Sequence, residues 1–312
     1  MKPSIKTKYL DTISHVFICT LHALFQKYDI IHFHSVGPSL MSFIPRLFLR
    51  KTRIVGTFHC QDRFHQKWGP FARQVLKLGE FTICKFPHTT IAISHIIQKH
   101  CKKRFNRKAV YIPYGITISD MIDEGEIKKF GLKKDDYIFT AARFVKHKGI
   151  HYLIEAYNRM KTDKKLVIAG DAPYPSTYKE QIKKLAETNP NIIFTGYQKG
   201  KTLAQLFKNA YLYVHPSEAE GLSITILEAL SFGKCALVSD IPENLEAING
   251  FGFSFKNKNV KDLEVKLSDL LNKPDLVKQT GIKAKKYVEE NYNWDNIAKK
   301  TENLYQSLLK KS

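Results

Sequence analysis

The chain has 312 residues and a hydrophobic fraction of 43%, enough apolar side chain for two domain cores and too much for a disordered polymer. Its five cysteines, Cys19, Cys60, Cys84, Cys101 and Cys235, form no C-x-x-C pair, which argues against a disulfide framework or a zinc site and suggests a reducing compartment. The formal charge of +21 is uneven: residues 1–118 hold 12 Lys and 7 Arg against Asp11, Asp29, Asp62 and Glu80, a net of +15, and the other 194 residues carry +6.

The start, MKPSIKTKYLD, is polar and lysine-rich with no apolar signal region behind it, and ISHVFICTLHALF is too short to span a bilayer. The expected location is cytoplasmic. A lysine-rich proteome would give the same total charge but would spread it evenly. The basic first half is interleaved with Phe43, Phe48, Trp68 and Phe71, which suggests peripheral attachment to an anionic membrane surface, the inner face of the plasma membrane. No nucleic-acid recognition module is legible, so nucleic acid is not an expected partner.

In chain order, helix 10–27 leads to strand 29–35 (DIIHFHS), helix 39–50, strand 53–59 (RIVGTFH), helix 70–86, strand 89–94, helix 94–105 and strand 109–115. A polar, charged stretch follows at 116–136. The second half alternates strands 137–143, 165–171, 191–197, 210–216 and 235–240 with helices near 148–161, 175–188, 201–209, 222–232 and 261–272. A last helix spans about 294–310. Near-continuous apolar strands alternating with amphipathic helices predict parallel sheets covered on both faces. The expected architecture is α/β, with two Rossmann-like domains facing across a cleft. Domain boundaries fall at 1–118 and 119–290, with 291–312 as a terminal helix packing back towards the first domain.

Several residues carry chemistry. AARFVKHKG places Arg143 at a strand end and Lys148 before a helix start, a ready anion site; taken alone, both also read as solvated loop charges. In HPSEAEGLSITILEALSFG, Gly221 allows close approach of a ligand, and the N–H groups of Leu222, Ser223 and Ile224 are helix-start donors suited to a diphosphate. Glu220 precedes this helix, and the glycine lets it turn by itself into the cleft. Glu228 lies within the helix among Ile224, Leu227 and Ala229, where a lone carboxylate is costly and needs either a salt bridge or a vicinal diol such as a ribose. Glu218 is expected on the surface. His59 sits at a strand end in TFH, opposite the anion site, and His32 reads as structural. No D-x-D, G-x-S-x-G or G-x-x-x-x-G-K-[ST] motif is present, so no metal and no cofactor are expected.

The E-x7-E of Glu220 and Glu228, the R-x4-K-G of Arg143, Lys148 and Gly149, and the TFH of His59, supported by IAGD, FTGY and IPYG, resemble glycosyltransferase family 4. The resemblance implies the GT-B fold and retaining, metal-independent transfer of a sugar from a nucleotide diphosphate to a glycan or lipid-linked acceptor. KWGPFARQVLKLGE and VSDIPENLEAI look like members that act in surface-polysaccharide assembly. It further implies that Arg143 and Lys148 hold the donor diphosphate and that Glu228 binds the ribose. Glu220 and His59 would contact the donor sugar. Relative to the family pattern, the opening strand and glycine-rich turn, roughly 60 residues, do not appear, and the first domain is expected to be amino-terminally incomplete. Two other readings share these features: an inactive nucleotide-sugar-binding or partner subunit, and a sugar-nucleotide epimerase.

Overall fold

The structure, a computed structural model, describes residues 11–64, 69–117, 125–172 and 176–310. Trp68 and residues 118–124 of the polar stretch lie outside these. The chain divides into two compact units, residues 1–114 with 295–312 and residues 115–294.

The first unit holds a four-stranded sheet, β1 (Ile30–His34), β2 (Arg53–Phe58), β3 (Thr89–Ala92) and β4 (Val110–Tyr111), parallel throughout and in sequential order. Helices α1 (Asp11–Leu24), α2 (Phe43–Phe48), α3 (Pro70–Lys85) and α4 (His95–Phe105) connect or flank these strands. The helix expected at 39–50 divides in two. A 3-10 turn, Pro38–Met41, precedes α2, and the Ser42 hydroxyl bonds the Ser39 carbonyl at 2.7 Å at their junction. Helix α4 starts where the Ser94 side chain accepts from the Ile97 N–H and ends at Asn106 in the left-handed region, φ 50°.

The second unit is a six-stranded parallel sheet with the order β10-β9-β8-β5-β6-β7. Its strands are β5 (Tyr137–Ala141), β6 (Lys165–Ala169), β7 (Ile192–Gly196), β8 (Leu212–His215), β9 (Ala236–Ser239) and β10 (Phe253–Phe255). Around them lie α5 (Gly125–Lys128), α6 (Ile150–Asn158), α7 (Thr177–Ala186), α8 (Gly200–Lys208), α9 (Ile224–Ser231), α10 (Pro242–Ile248), α11 (Val260–Leu271) and α12 (Pro274–Asn291). Strands β5, β8 and β9 are buried at every position, the mark of a sheet with helices on both faces. Four of these elements, α5, β10, α10 and α12, were not predicted from the sequence. The last helix, α13 (Trp294–Leu309), belongs beyond its first residue to the first unit, where Ile297, Leu304, Tyr305 and Leu308 pack on Val55, Ile91 and Ile112.

What matters for function is the reversal of strand order. Strands β5 and β8 are neighbours although β6 and β7 come between them in the chain, and the loops that leave their carboxyl ends therefore lie side by side. Open α/β sheets bind ligands at such a point.

Candidate functional site

Strand β5 ends at Ala141 and the chain stays extended, with the Ala142 N–H bonding Ala169 and the Phe144 N–H bonding Asp171. Phe144 is buried and anchors this loop, while Arg143 between them is exposed and has no ion pair among the described residues. A 3-10 turn, Lys146–Lys148, follows, and Gly149 opens α6 at φ +66°. At Gly149 a Cβ would collide with the Pro216 carbonyl, so both the dihedral and the close approach of the second loop require glycine.

That second loop, from β8 to α9, is fastened to the first. The Glu218 N–H donates to the His147 carbonyl at 2.7 Å, and the Ser217 hydroxyl lies 3.1 Å from the same oxygen. Glu218, expected on the surface, is instead buried: its side chain is 6% exposed. One of its oxygens accepts from the Tyr152 hydroxyl and the other pairs with Lys258 Nζ, each at 2.9 Å. The sequence reading failed because these partners are remote in the chain.

Glu220 does not stand alone. Its Oε1 receives Lys148 Nζ at 2.5 Å and His215 Nε2 at 2.8 Å. Burial by itself would raise this carboxyl, but Lys148 and His215 outweigh it and hold the group well below the usual carboxylate range. His215, which sequence reading passed over, is fully enclosed, and burial keeps its imidazole neutral at neutral pH despite the carboxylate beside it. Because Glu220 is ionised and can only accept, the Nε2 must carry the proton; Nδ1, 3.1 Å from the Tyr213 hydroxyl, is then the acceptor. Ser223 Oγ completes the cluster at 3.3 Å from His215 Nε2 and 3.1 Å from Thr225 Oγ1.

Helix α9 begins at Ile224 without a side-chain cap from Ser223, so its first-turn N–H groups have no intrahelical acceptor. Gly221, Leu222 and Ser223 lead into that start. About one turn on, Glu228 is flanked by the buried Leu227 and Ala229, and its carboxylate has no hydrogen bond or ion pair among the described residues. Burial pushes its pKa up to about 7. The apolar setting expected for Glu228 is observed, and no salt-bridge partner for it is found among the described residues.

Beside these groups, at the carboxyl ends of β5, β6 and β7, is a concavity of about 180 Å³. Arg143, Gly170, Asp171, Tyr197, Gln198 and Thr225 line it, and Thr225 is one turn before Glu228 on α9. An unpaired guanidinium, an uncapped helix start and an orphan carboxylate thus occupy one edge of one sheet. Such a set suits a ligand with both an anionic and a polyhydroxyl part. Among the described residues, no three His, Cys, Asp or Glu group as a metal site.

His59 lies in the first unit, immediately after β2. Its Nδ1 is 2.5 Å from the Tyr114 hydroxyl and its Nε2 is 3.2 Å from His34 Nδ1. Burial, then the neighbouring His34, lower its pKa to about 4. His32 is held between Thr57 Oγ1 at 2.7 Å and the Tyr305 hydroxyl at 2.6 Å, which fits the structural role expected of it. A larger concavity, about 300 Å³, lies between α1 and β1 and is mostly apolar.

Residues 123–294 match the family model for glycosyl transferases group 1, and residues 5–120 match that for Glycosyltransferase Family 4. The chain belongs to these glycosyltransferases. Among curated relatives, the glycosyltransferase MJ1607 of Methanocaldococcus jannaschii is 34% identical over 188 residues, 57% of this chain and 47% of the relative. An Escherichia coli protein named UDP-Gal:alpha-D-GlcNAc-diphosphoundecaprenol alpha-1,3-galactosyltransferase is 26% identical over 233 residues, 70% of this chain and 59% of that one. The chain thus spans roughly half the length of the curated relatives it matches. Among solved structures, Anabaena HepE in complex with UDP aligns at a TM-score of 0.82 and 17% identity, covering 95% of this glycosyltransferase and 83% of HepE. Sucrose-phosphate synthase from Thermosynechococcus elongatus aligns at 0.82 and 20% identity, covering 96% and 78%. The fold is that of the GT-B glycosyltransferases. No helix among the described residues is long and apolar enough to cross a membrane.

Proposed function

We propose that this glycosyltransferase moves a hexosyl group, with retention and without a metal, from a nucleotide-diphosphate donor to a glycan or lipid-linked acceptor in surface-polysaccharide assembly. It would work in the cytoplasm, at an anionic membrane surface. The observation that carries the reading is the placing of Arg143, the α9 start and the partnerless Glu228 at one sheet edge. The E. coli relative is named for a diphosphoundecaprenol-linked acceptor, a Bacillus subtilis relative for teichuronic acid biosynthesis, and HepE has been crystallised with UDP-glucose. Those names support a nucleotide-sugar donor and a lipid-linked or polysaccharide acceptor here.

The chemistry follows from the charges. Cleaving the glycosyl–phosphate bond leaves negative charge on the diphosphate. Arg143, Lys148 and the N–H groups of Leu222, Ser223 and Ile224 are placed to stabilise it. Glu228 receives the two ribose hydroxyls. Glu220, next to Gly221, contacts the sugar, and His59 is assigned to the sugar by the family resemblance. Glu220 is a poor nucleophile and a poor base while two donors hold it ionised, so the leaving phosphate takes the acceptor's proton on the face it leaves. That differs from the two-carboxylate route of glycosidases.

The test is thermal unfolding with UDP, followed by a donor screen read by product mass. At 100 times its Kd, UDP stabilises by about 2.7 kcal/mol. The expected result is a rise in Tm that Arg143→Ala largely removes. A wild-type chain indifferent to UDP and to the other nucleoside diphosphates would overturn the reading.

A further inference from the structure

Helices α2 and α3 of the first unit turn an unusual surface to solvent. Leu47 and Phe48 on α2 are 63% and 71% exposed, and Phe71 and Leu78 on α3 are 83% and 54% exposed. The two helices are joined at this surface by rings: Phe43 and Phe81 each contact Phe86, at 5.8 and 6.3 Å between centroids. On α3, Phe71, Leu78, Phe81 and Lys85 recur at spacings of seven, three and four, which puts them on one outward stripe. Large apolar side chains concentrated on an outer face mark an interaction site.

The charge around them has one sign. Arg46, Arg50, Lys51, Arg73, Lys77 and Lys85 are exposed on or beside these helices and have no ion pair among the described residues. The one carboxylate of either helix, Glu80, is 1% exposed and is bound by Arg63 at 2.9 Å and His100 at 3.1 Å. Positive charge without exposed counter-charge repels a second copy of the same face. Phe48 and Phe71 offer rings on which bases can stack, but Leu47 and Leu78 beside them give nucleic acid nothing to bond or stack. Anionic headgroups over acyl chains satisfy both the cations and the apolar tips.

We infer that the outer face of α2 and α3 is the docking surface for an anionic lipid bilayer, with Leu47, Phe48, Phe71 and Leu78 entering the interface and Arg46, Arg50, Lys77 and Lys85 meeting the headgroups. The inference locates the membrane attachment of the proposed function, which is otherwise only a matter of net charge. It assigns the lipid-linked acceptor's home surface to helices of the first unit.

The experiment is flotation of the full chain with vesicles of phosphatidylcholine alone and of phosphatidylcholine with phosphatidylglycerol. Binding is expected only to the anionic vesicles and is expected to be lost between about 0.05 M and 0.5 M NaCl, where the screening length shortens severalfold. The double variant Arg46→Ala with Arg50→Ala should bind about 25-fold more weakly, since about 1 kcal/mol per surface cation is about fivefold each. Leu47→Ser with Phe48→Ser should lose most of the binding seen at low salt, whereas Val265→Ser, at a half-exposed position on α11, should alter nothing. All these side chains are exposed, and circular dichroism together with the UDP-induced Tm shift checks that each variant is folded. Equal binding to neutral vesicles, indifference to salt, or full binding by both double variants overturns the inference. So does displacement of the vesicles by polyuridylate, which would give the face to nucleic acid. Vesicle binding without any UDP shift would sink the donor reading and leave this surface standing; the reverse outcome would do the opposite.

Discussion

Replacing Glu228 by glutamine should make the protein more stable and a worse nucleotide binder at once. Burial raises the Glu228 carboxyl from 4.5 to about 7, and no donor in the chain compensates it. The sign runs one way. The folded state holds its proton more tightly than the unfolded chain, so the ionisation cost is absent below the unfolded value, grows as pH rises, and is complete above about pH 7. At about 1.4 kcal/mol per tenfold change in proton affinity, the displacement amounts to about 3 kcal/mol. Glutamine has nearly the same shape and never pays that cost. Glu228→Gln should therefore raise the melting temperature of the second unit by about 6–12 °C at pH 8 and by much less at pH 5.

The same substitution removes the acceptor proposed for two ribose hydroxyls. Hydrogen bonds to a charged group contribute about 1.5–3 kcal/mol each, so UDP affinity should fall by at least tenfold while pyrophosphate affinity stays unchanged. Calorimetric titration between pH 5.5 and 8.5 separates the contributions. The glutamine variant reports only the titration of UDP itself, and the wild type should gain affinity beyond that as pH passes 7. A variant no more stable than wild type at pH 8 would refute the burial reasoning. One that still prefers UDP to pyrophosphate by the wild-type factor would refute the ribose assignment.

Gly149→Ala should destabilise the second unit by about 2–4 kcal/mol in denaturant unfolding, since both the left-handed backbone and the Pro216 carbonyl oppose a Cβ. Glu218→Ala leaves the Tyr152 hydroxyl and Lys258 unpartnered, and a loss of about 1–3 kcal/mol is expected by the same measurement. UDP-induced stabilisation should be the same with and without EDTA, since the proposed diphosphate site uses cations of the chain; a shift that vanishes with the chelator would contradict this. Lys148→Ala should abolish most of the UDP shift, and Lys148→Arg should retain part of it.

The sheets were legible because their strands are unbroken apolar runs: KLVIAGD was expected at 165–171 and forms β6 at Lys165–Ala169. Helix α12 was not, although it has 18 residues, because its buried stripe is Val277, Gly281, Ala284 and Val288. Gly281 packs against the Gly233 carbonyl, a contact no larger side chain would permit, and that small stripe gives hardly any hydrophobic periodicity. Strand β10 has three residues between glycine and polar positions, too few to alternate. In the site, Arg143 and Glu228 could be read because each is a charge in a setting that does not satisfy it. Glu218 and His215 could not, because what decides them is a partner in space: Tyr152 lies 66 positions away from Glu218. One signal was available for His215. A histidine closing the otherwise apolar strand of AYLYVHP needs a buried acceptor, and Glu220 is the nearest carboxylate along the chain beyond Glu218.

The ion pair between Lys148 and Glu220 changes what donor binding must do. Lys148 is already neutralised by Glu220, so of the two cations assigned to the diphosphate only Arg143 lacks an ion pair among the described residues. If the arriving phosphates draw Lys148 away, Glu220 loses its stronger counter-charge while staying enclosed, and burial, the largest influence on it, then acts with little opposition. His215 is what remains. It keeps donating from Nε2, so the carboxylate is still positioned, but a neutral donor offsets less than an ammonium does. Glu220 would then have a higher proton affinity than it has when paired with Lys148, and a hydroxyl of the donor sugar would lower it again. Binding energy from the diphosphate would in this way be coupled to selection of the sugar. Either ligand releases the Glu228 proton near neutral pH through its ribose. UDP alone, which frees Lys148 but brings no sugar hydroxyl, should then release a fraction of a proton less than UDP-sugar of the right kind in calorimetry run in two buffers, and Glu220→Gln should remove the difference.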